Sequence, residues 1–147
     1  MLDTRFIGHA MAPFEVDVEV SRLRFFAKAT GQTDPVYIDD AAASAAGHRA
    51  LPVPPTFLFC LEMSAPNPEA VRELLGIEVA TILHGEQHFD YHAVACAGDR
   101  LRFTQRITDI YAKKGGALEF LVRETRVDDV RGTHVADLRC VTVVRHV

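Results

Sequence analysis

The sequence is poor in cysteine and has no long apolar run. Its three cysteines, Cys60, Cys96 and Cys140, are odd in number and form no Cys-x-x-Cys pair. This pattern argues against a disulfide framework and against a cysteine zinc site, so we expect all three to be small core residues. No window approaches the roughly 18 apolar residues of a membrane span, and the start of the chain shows no signal-peptide pattern. We therefore expect a cytoplasmic protein that does not enter a membrane.

Positive charge is also scarce. Sixteen lysines and arginines stand against twenty aspartates and glutamates, giving a formal net charge of −4. The chain therefore lacks the basic field expected of a nucleic-acid-binding protein. With 48% apolar and 24% charged residues, the 147-residue chain suits one globular domain over residues 1–147.

Two helices are predicted between residues 21 and 64. An apolar stripe at helical spacing predicts a first helix that begins at Ser21, as N-cap, and ends at Gly31, which tolerates the positive φ of a helix end. Asp34-Pro35 cannot continue this helix. Pro54-Pro55 predicts the start of a second helix over residues 55–64, which is apolar nearly all round and therefore buried.

From residue 78 onward the apolar period changes from 3.6 to 2, which predicts β-strands. The connections between the last strands are short and carry turn residues, so we expect antiparallel pairing. Together with a short N-terminal strand, they make a sheet of about five strands and an α+β domain. The predicted segments are a strand around 14–18, a short helix over 69–75 that ends at Gly76, and strands over 79–92, 100–112, 117–128 and 133–145.

The 79–92 strand carries His84, Glu86 and His88 on one face, which is a metal-like pattern. At ~3.3 Å per residue the polar face from His84 to His92 spans about 26 Å, so its members cannot all meet at one ion. Gly85 also favours a bulge that would break the alternation. We predict no metal site here and a polar face of the strand instead.

Several segments in this order resemble the MaoC-like dehydratase family, in particular its N-terminal-type, FAS1-like dehydratase domain. The resemblance implies a hotdog fold, in which an antiparallel sheet of about five strands wraps around one long buried helix. It also implies fatty acid metabolism, with acyl thioesters of coenzyme A or acyl carrier protein as ligands, and no cofactor. The segments are Phe25–Gly31, Asp34–Asp39, Ala43–Gly47, Val53–Leu58, Leu83–Gln87 and Gly98-Asp99.

The resemblance also places the catalytic dyad, and this chain departs from it. Active members supply an aspartate and a histidine within Asp-x-Asn-Pro-x-His, and the matching positions here hold Gln32 and Tyr37, with Asp34 at the asparagine. A glutamine cannot carry a proton near neutral pH, and a tyrosine with a pKa near ~10 is a poor substitute for histidine. Asp34, Tyr37 and His84 remain the candidate catalytic residues.

The positions that bind the substrate in the family, unlike the dyad, are matched in this chain. By resemblance, the backbone N–H of Thr56, beside Pro55, is the oxyanion donor, and Gly85 and Gln87 match family positions, so these four are the predicted substrate-binding residues. The anionic carrier of the thioester also needs local positive charge. Arg49, Arg72, Arg100, Arg102 and Arg106 are available to form such a cluster.

Three functions remain open at this stage. The first is a non-catalytic or substrate-binding protomer, either a homodimer or paired with a catalytic MaoC-like subunit. The second is a stand-alone hydratase or dehydratase, a hydro-lyase with a rearranged site at His84 or Asp34. The third is a hotdog thioesterase, which needs a carboxylate such as Glu62 near the helix start.

Overall fold

The computed structural model describes residues 1–146, so only Val147 of the predicted single domain lies outside the described residues. Five antiparallel strands form one sheet in the order β1-β3-β4-β5-β2. This confirms the predicted α+β class with about five antiparallel strands. The strands are β1 (Phe14–Asp17), β2 (Ile82–Tyr91), β3 (Arg100–Lys113), β4 (Leu118–Asp129) and β5 (His134–Arg145).

Four α-helices lie between β1 and β2. The first begins earlier than predicted, because Glu19 is its N-cap and Ser21 lies inside the first turn. Gly31 adopts a φ of 70° just after the helix, as its position predicted. The helices are α1 (Val20–Ala29), α2 (Asp40–Ala45), α3 (Phe57–Glu62) and α4 (Ala70–Leu75).

The buried helix α3 is shorter than the sequence suggests. It has six residues, whereas a helix over 55–64 was predicted. Thr56 adopts the left-handed conformation, with a φ of 71°, so the helical geometry begins only after it and Pro55 precedes the helix. After Glu62 the chain continues as turns, in which the N–H groups of Met63 and Ser64 still bond back to helical carbonyls.

The core lies between α1, α3 and the inner face of the sheet. Leu23 of α1 and Leu58 and Leu61 of α3 are fully buried against β-strand residues such as Phe103 and Leu138. Each such side chain contributes roughly 1.5–3 kcal/mol by leaving water. A second apolar cluster packs α4 against the far ends of β3, β4 and β5. The helices are therefore held at both ends of the sheet.

Strand β2 lies at the edge of the sheet and contains a bulge. The register with β5 shifts between His84 and Glu86. Gly85 approaches β5 so closely that a Cβ atom there would lie 2.9 Å from the Val141 carbonyl oxygen. The bulge places the His84 ring edge-on against Phe59 of α3, at 5.2 Å between centroids, while Glu86 and His88 bond to each other on the outer face. The predicted break in alternation is confirmed, and His84 cannot share an ion with those two residues.

Two further expectations concern burial. Cys96 and Cys140 are buried as predicted, and Cys60 is half-buried against the core. Over residues 1–146, no helix is both long enough and apolar enough to cross a membrane.

Candidate functional site

A cavity of about 320 Å³ opens beside the start of α3, and we call it the helix-start pocket. The segment before α3 forms one wall, and the end of β2 with the loop after it forms the other. Its polar groups come from two tyrosines and two histidines, and the remaining lining is apolar. The lining residues are Tyr37, His48, Pro52, Val53, Pro55, Leu58, Tyr91, His92, Ala93, Val94, Ala95 and Val135.

The predicted oxyanion donor lies beside this pocket and already has a partner. The backbone N–H of Thr56 donates a hydrogen bond of 2.8 Å to the hydroxyl oxygen of Tyr91. Burial raises the pKa of Tyr91, and the Thr56 N–H bond partly offsets this rise. The hydroxyl is therefore neutral near pH 7 and occupies the donor that a thioester oxygen would need.

The predicted dyad segment forms a self-contained turn. The side-chain oxygen of Gln32 accepts the N–H of Asp34 at 3.0 Å. The Asp34 carboxylate accepts the N–H of Val36 at 3.0 Å and caps the 3-10 turn Pro35–Tyr37. Tyr37 lines the helix-start pocket, but Gln32 and Asp34 do not. The structure thus brings one of these three predicted residues to the pocket.

The remaining predicted residues on β2, His84, Gly85 and Gln87, do not line the helix-start pocket. His84 and Tyr91 are seven positions apart, which corresponds to about 23 Å along a strand. A glycine is needed at position 85 because β5 lies too close to leave room for a side chain. Gln87 pairs with Cys140 on β5. Both of its amide atoms are buried, and within residues 1–146 they have no hydrogen-bond partner. The role of Gln87 in ligand binding stays a prediction.

Glu62, the residue considered for thioesterase chemistry, lies at a different cavity. This cavity, of about 230 Å³, lies between α3, α4 and residues 11–14. The Glu62 carboxylate is 8% exposed and accepts hydrogen bonds from the Gln105 amide at 2.9 Å and from the Thr125 hydroxyl. These bonds compensate the burial of the carboxylate and give it a structural role.

Four of the five arginines that were available for a cationic cluster lie beside carboxylates. Arg49 pairs with Asp99, and Arg72 pairs with Glu69. Arg100 lies against Glu15 at 2.8 Å. These contacts are surface ion pairs, and a role of the arginines in binding an anionic carrier stays a hypothesis. Of the other two arginines, Arg102 lies 3.9 Å from Glu15 and Arg106 is exposed on β3.

Sequence reasoning missed three polar residues of the helix-start pocket. By the period-2 pattern Tyr91 lies opposite the predicted polar face of its strand, and in the structure it lines the pocket. His92 follows it at the strand end. His48 lies in an irregular segment after α2, where no periodicity could have assigned it a direction.

Comparison with solved structures defines the fold class. A chain of the HadBC (3R-hydroxyacyl-ACP dehydratase) complex from Mycobacterium tuberculosis superimposes with a TM-score of 0.82 at 23% identity, covering 97% of this chain and 99% of that one. A MaoC-like dehydratase gives a TM-score of 0.84 at 25% identity, covering 95% of this chain and 42% of the other. The protein therefore has the hotdog fold of the MaoC-like dehydratases, as predicted.

The family follows from the sequence. The family described as "FAS1-like, dehydratase domain region" matches residues 5–138. A UPF0336 protein of Saccharopolyspora erythraea is 35% identical over 147 residues, covering 98% of this chain and 92% of that protein. The chain belongs to the FAS1-like dehydratase domain family, which confirms the resemblance.

Proposed function

We propose that this protein is a substrate-binding hotdog protomer that binds acyl thioesters but does not itself catalyse their hydration, and that it pairs with a catalytic MaoC-like subunit. The observation that carries the proposal is that both dyad residues are replaced and that the oxyanion donor is already hydrogen-bonded. Gln32 replaces the acid, Tyr37 replaces the histidine, and the N–H of Thr56 is bonded to Tyr91.

Hydration of an enoyl thioester needs three functions that this arrangement does not supply. A base must activate water, an acid must protonate the α-carbon, and donors must stabilise the charge on the thioester oxygen. The Gln32 amide cannot exchange a proton near neutral pH, and its oxygen is used by the turn. The nearby Asp34 carboxylate is used as a cap. The reacting groups must then come from a second subunit.

Binding of the acyl part is supported by the lining of the helix-start pocket. Most of its wall is apolar, with Leu58, Val94 and Val135 among the contributors. An apolar cavity with a few polar groups is the common form of a small-molecule site. Acyl thioesters of coenzyme A or acyl carrier protein are therefore the proposed ligands, and we expect the protein to act in the cytoplasm.

Pairing with another subunit is supported by the edge strand. β2 is hydrogen-bonded on one side only, to β5, which leaves a row of backbone groups for a partner strand. Exposed apolar side chains lie along this edge and just beyond it, including Leu83 at 46%, Tyr91 at 49% and Val94 at 60% exposure. The HadBC neighbour is itself described as a complex. A heterodimer is proposed on these grounds, and a homodimer is the other form that this edge allows.

Thioester binding and hydration can be tested with the purified protein. We expect a saturated acyl-coenzyme A to bind by calorimetry, and we expect crotonyl- and longer enoyl-coenzyme A esters to keep their enoyl absorbance when the protein is alone. Ala93→Trp fills the helix-start pocket, and Ala41→Trp adds the same side chain to an exposed site on α2. Binding lost in the first variant and kept in the second supports the proposal.

Two results would contradict the proposal. Equal binding by both tryptophan variants would place the ligand outside the pocket. Hydration by the protein alone would favour the stand-alone hydratase, and His48→Ala would then test whether the pocket histidine acts as its base, because His48 and Tyr37 line the same cavity.

A further inference from the structure

Three metal-ligating side chains meet on the outer face of the sheet, where β2 ends and β5 begins. The Nε2 atom of His92 lies 2.9 Å from Oδ2 of Asp137, and the Nε2 atom of His134 lies 3.0 Å from Oδ1 of the same carboxylate. One ligand atom from each of the three residues lies within 4.8 Å of the others. None of these residues belongs to the dyad or is the Thr56 donor, so the argument for the cluster does not use the dyad or the donor.

The sheet itself brings the three residues together. Val127 pairs with Ala136 and Asp128 pairs with His134, so β5 carries one extra residue at Val135. This bulge turns His134 to the same face as Asp137, three positions further on. Two hydrogen bonds then fix the end of β2 beside them, because the N–H groups of His92 and Ala93 both donate to the Val135 carbonyl. The cluster therefore rests on ordered strand backbone.

The donor set matches an open zinc site. Two imidazole nitrogens and one carboxylate oxygen supply three protein ligands, and a water molecule completes the tetrahedron in sites of this kind. Zinc lies about 2.0–2.2 Å from such ligands, which puts neighbouring donor atoms of a tetrahedron roughly 3.3 Å apart. The two histidine nitrogens lie 2.9 and 3.0 Å from different oxygens of Asp137, and one ligand atom from each residue lies within 4.8 Å of the others, so small side-chain rotations bring them to these separations.

Charge and access also suit a cation. Asp90 pairs with Asp137 across the two strands and adds negative charge to the same face. The side chains of His92, His134 and Asp137 are 43%, 28% and 46% exposed, so an ion from solvent reaches all three. The two imidazole rings lie 4.2 Å apart at 32°, and the Nε2 atom of each lies against the Asp137 carboxylate.

We propose that His92, His134 and Asp137 form a binding site for a divalent transition metal, with Zn²⁺ as the best fit. Because His92 also lines the helix-start pocket, the ion lies at the rim of that pocket. Its fourth position is open to water or to an oxygen atom of a bound ligand.

The test uses untagged, chelator-treated protein and the metal alone. We expect one equivalent of Co²⁺ to produce the visible absorption bands of a tetrahedral site, and Zn²⁺ to displace it with loss of colour. His92→Ala and His134→Ala should each weaken Zn²⁺ binding by at least about 100-fold, since losing even an outer partner of a ligand costs 10–100-fold. Calorimetry measures this directly, and no activity assay is needed.

His88→Ala is the matched control. His88 is an exposed histidine on β2, four positions before His92, and it also contacts a carboxylate, that of Glu86 at 3.1 Å, but Glu86 is shared with Arg139. We expect this variant to bind one equivalent as the unaltered protein does. No metal binding by the unaltered protein, or equal weakening in His88→Ala and His92→Ala, overturns the proposal. Circular dichroism checks that each variant is folded, which is expected because all three replaced histidines are partly exposed.

Discussion

Replacing Tyr91 by phenylalanine removes the hydroxyl that accepts the Thr56 N–H bond and leaves the ring in place. The ring is stacked on Phe89, with 5.9 Å between centroids and an interplanar angle of 4°, and this contact does not need the hydroxyl. The change therefore separates the hydrogen bond from the packing. It tests whether that bond holds Thr56 in its left-handed conformation.

The size of the effect follows from the exposure of the bond. A hydrogen bond contributes about 1 kcal/mol net, and a buried donor left without a partner costs about 1–3 kcal/mol. Thr56 is exposed and Tyr91 is 49% exposed, so water can reach the released N–H and the lower figure applies. We expect Tyr91→Phe to lower the free energy of unfolding by about 1 kcal/mol, which shifts Tm by about 2–4 °C in a chain of this size.

Urea unfolding and amide hydrogen exchange measure the two parts of this effect. The unfolding slope should not change, and the Thr56 amide should exchange about fivefold faster, in line with 1 kcal/mol. Tyr111→Phe is the control, because Tyr111 is stacked on Phe120 at 4.8 Å and its hydroxyl has no hydrogen bond within residues 1–146. Equal stability losses in the two variants, or an unchanged Thr56 exchange rate, would show that the Tyr91 hydroxyl does not hold the Thr56 N–H.

Three further predictions concern the frame around the site. Asp129→Asn should destabilise the protein at pH 7 more than Asp128→Asn does. The pKa of Asp129 is lowered from 3.8 to about 2, first by the hydrogen bond from the Thr133 N–H and then by the bonds from the Arg131 side chain and N–H. The stabilisation that the ionised carboxylate provides is therefore present above pH 4 and is lost as the pH falls toward 2. Urea titrations of both variants at several pH values check this, and a deficit that persists at pH 2 contradicts it. Gly85→Ala should lower the free energy of unfolding by about 1–3 kcal/mol, because the added methyl group overpacks against β5. The control Leu83→Ala, at an exposed position, should change it by no more than about 0.5 kcal/mol. Similar thermal melting curves of the two variants would be inconsistent with the bulge geometry. Thr125→Val removes a hydrogen-bond donor to the buried Glu62 carboxylate and should lower the free energy of unfolding by about 1.5–3 kcal/mol. The control Thr104→Val, at an exposed position, should leave it nearly unchanged. If chemical unfolding shows no loss for Thr125→Val, the hydrogen bond to Glu62 does not stabilise the fold.

The strands could be predicted from the sequence because one face of the sheet is buried and the other is exposed. Alternating burial in β3 and β4 requires alternating side chains, and the predicted ends of β3, β4 and β5 agree with the structure to one residue. The bulge at Gly85 was also predictable, since a glycine inside an alternating strand marks close backbone approach. The family resemblance added the hotdog arrangement, which periodicity alone could not define.

The helix-start pocket was harder to predict because it depends on conformations and contacts that leave no local pattern. Nothing in Pro54-Pro55 indicates that Thr56 takes a positive φ, so α3 was predicted too long. The Thr56–Tyr91 bond joins segments far apart in the chain. The meeting of His92 with His134 depends on a bulge in β5 that no glycine marks. Such features arise from tertiary packing and not from spacing.

The central claim is that this chain binds the substrate while a partner supplies the proton transfers. The most direct measurement is the steady-state hydration of an enoyl-coenzyme A ester by the complex of this protein with a catalytic MaoC-like subunit, comparing Tyr37→Phe and Ala93→Trp in this chain. We predict no turnover by this protein alone. In the complex we predict an unchanged kcat for Tyr37→Phe and a raised KM at nearly constant kcat for Ala93→Trp. Turnover by the protein alone, or a kcat that collapses in Tyr37→Phe while KM is unchanged, would contradict the account.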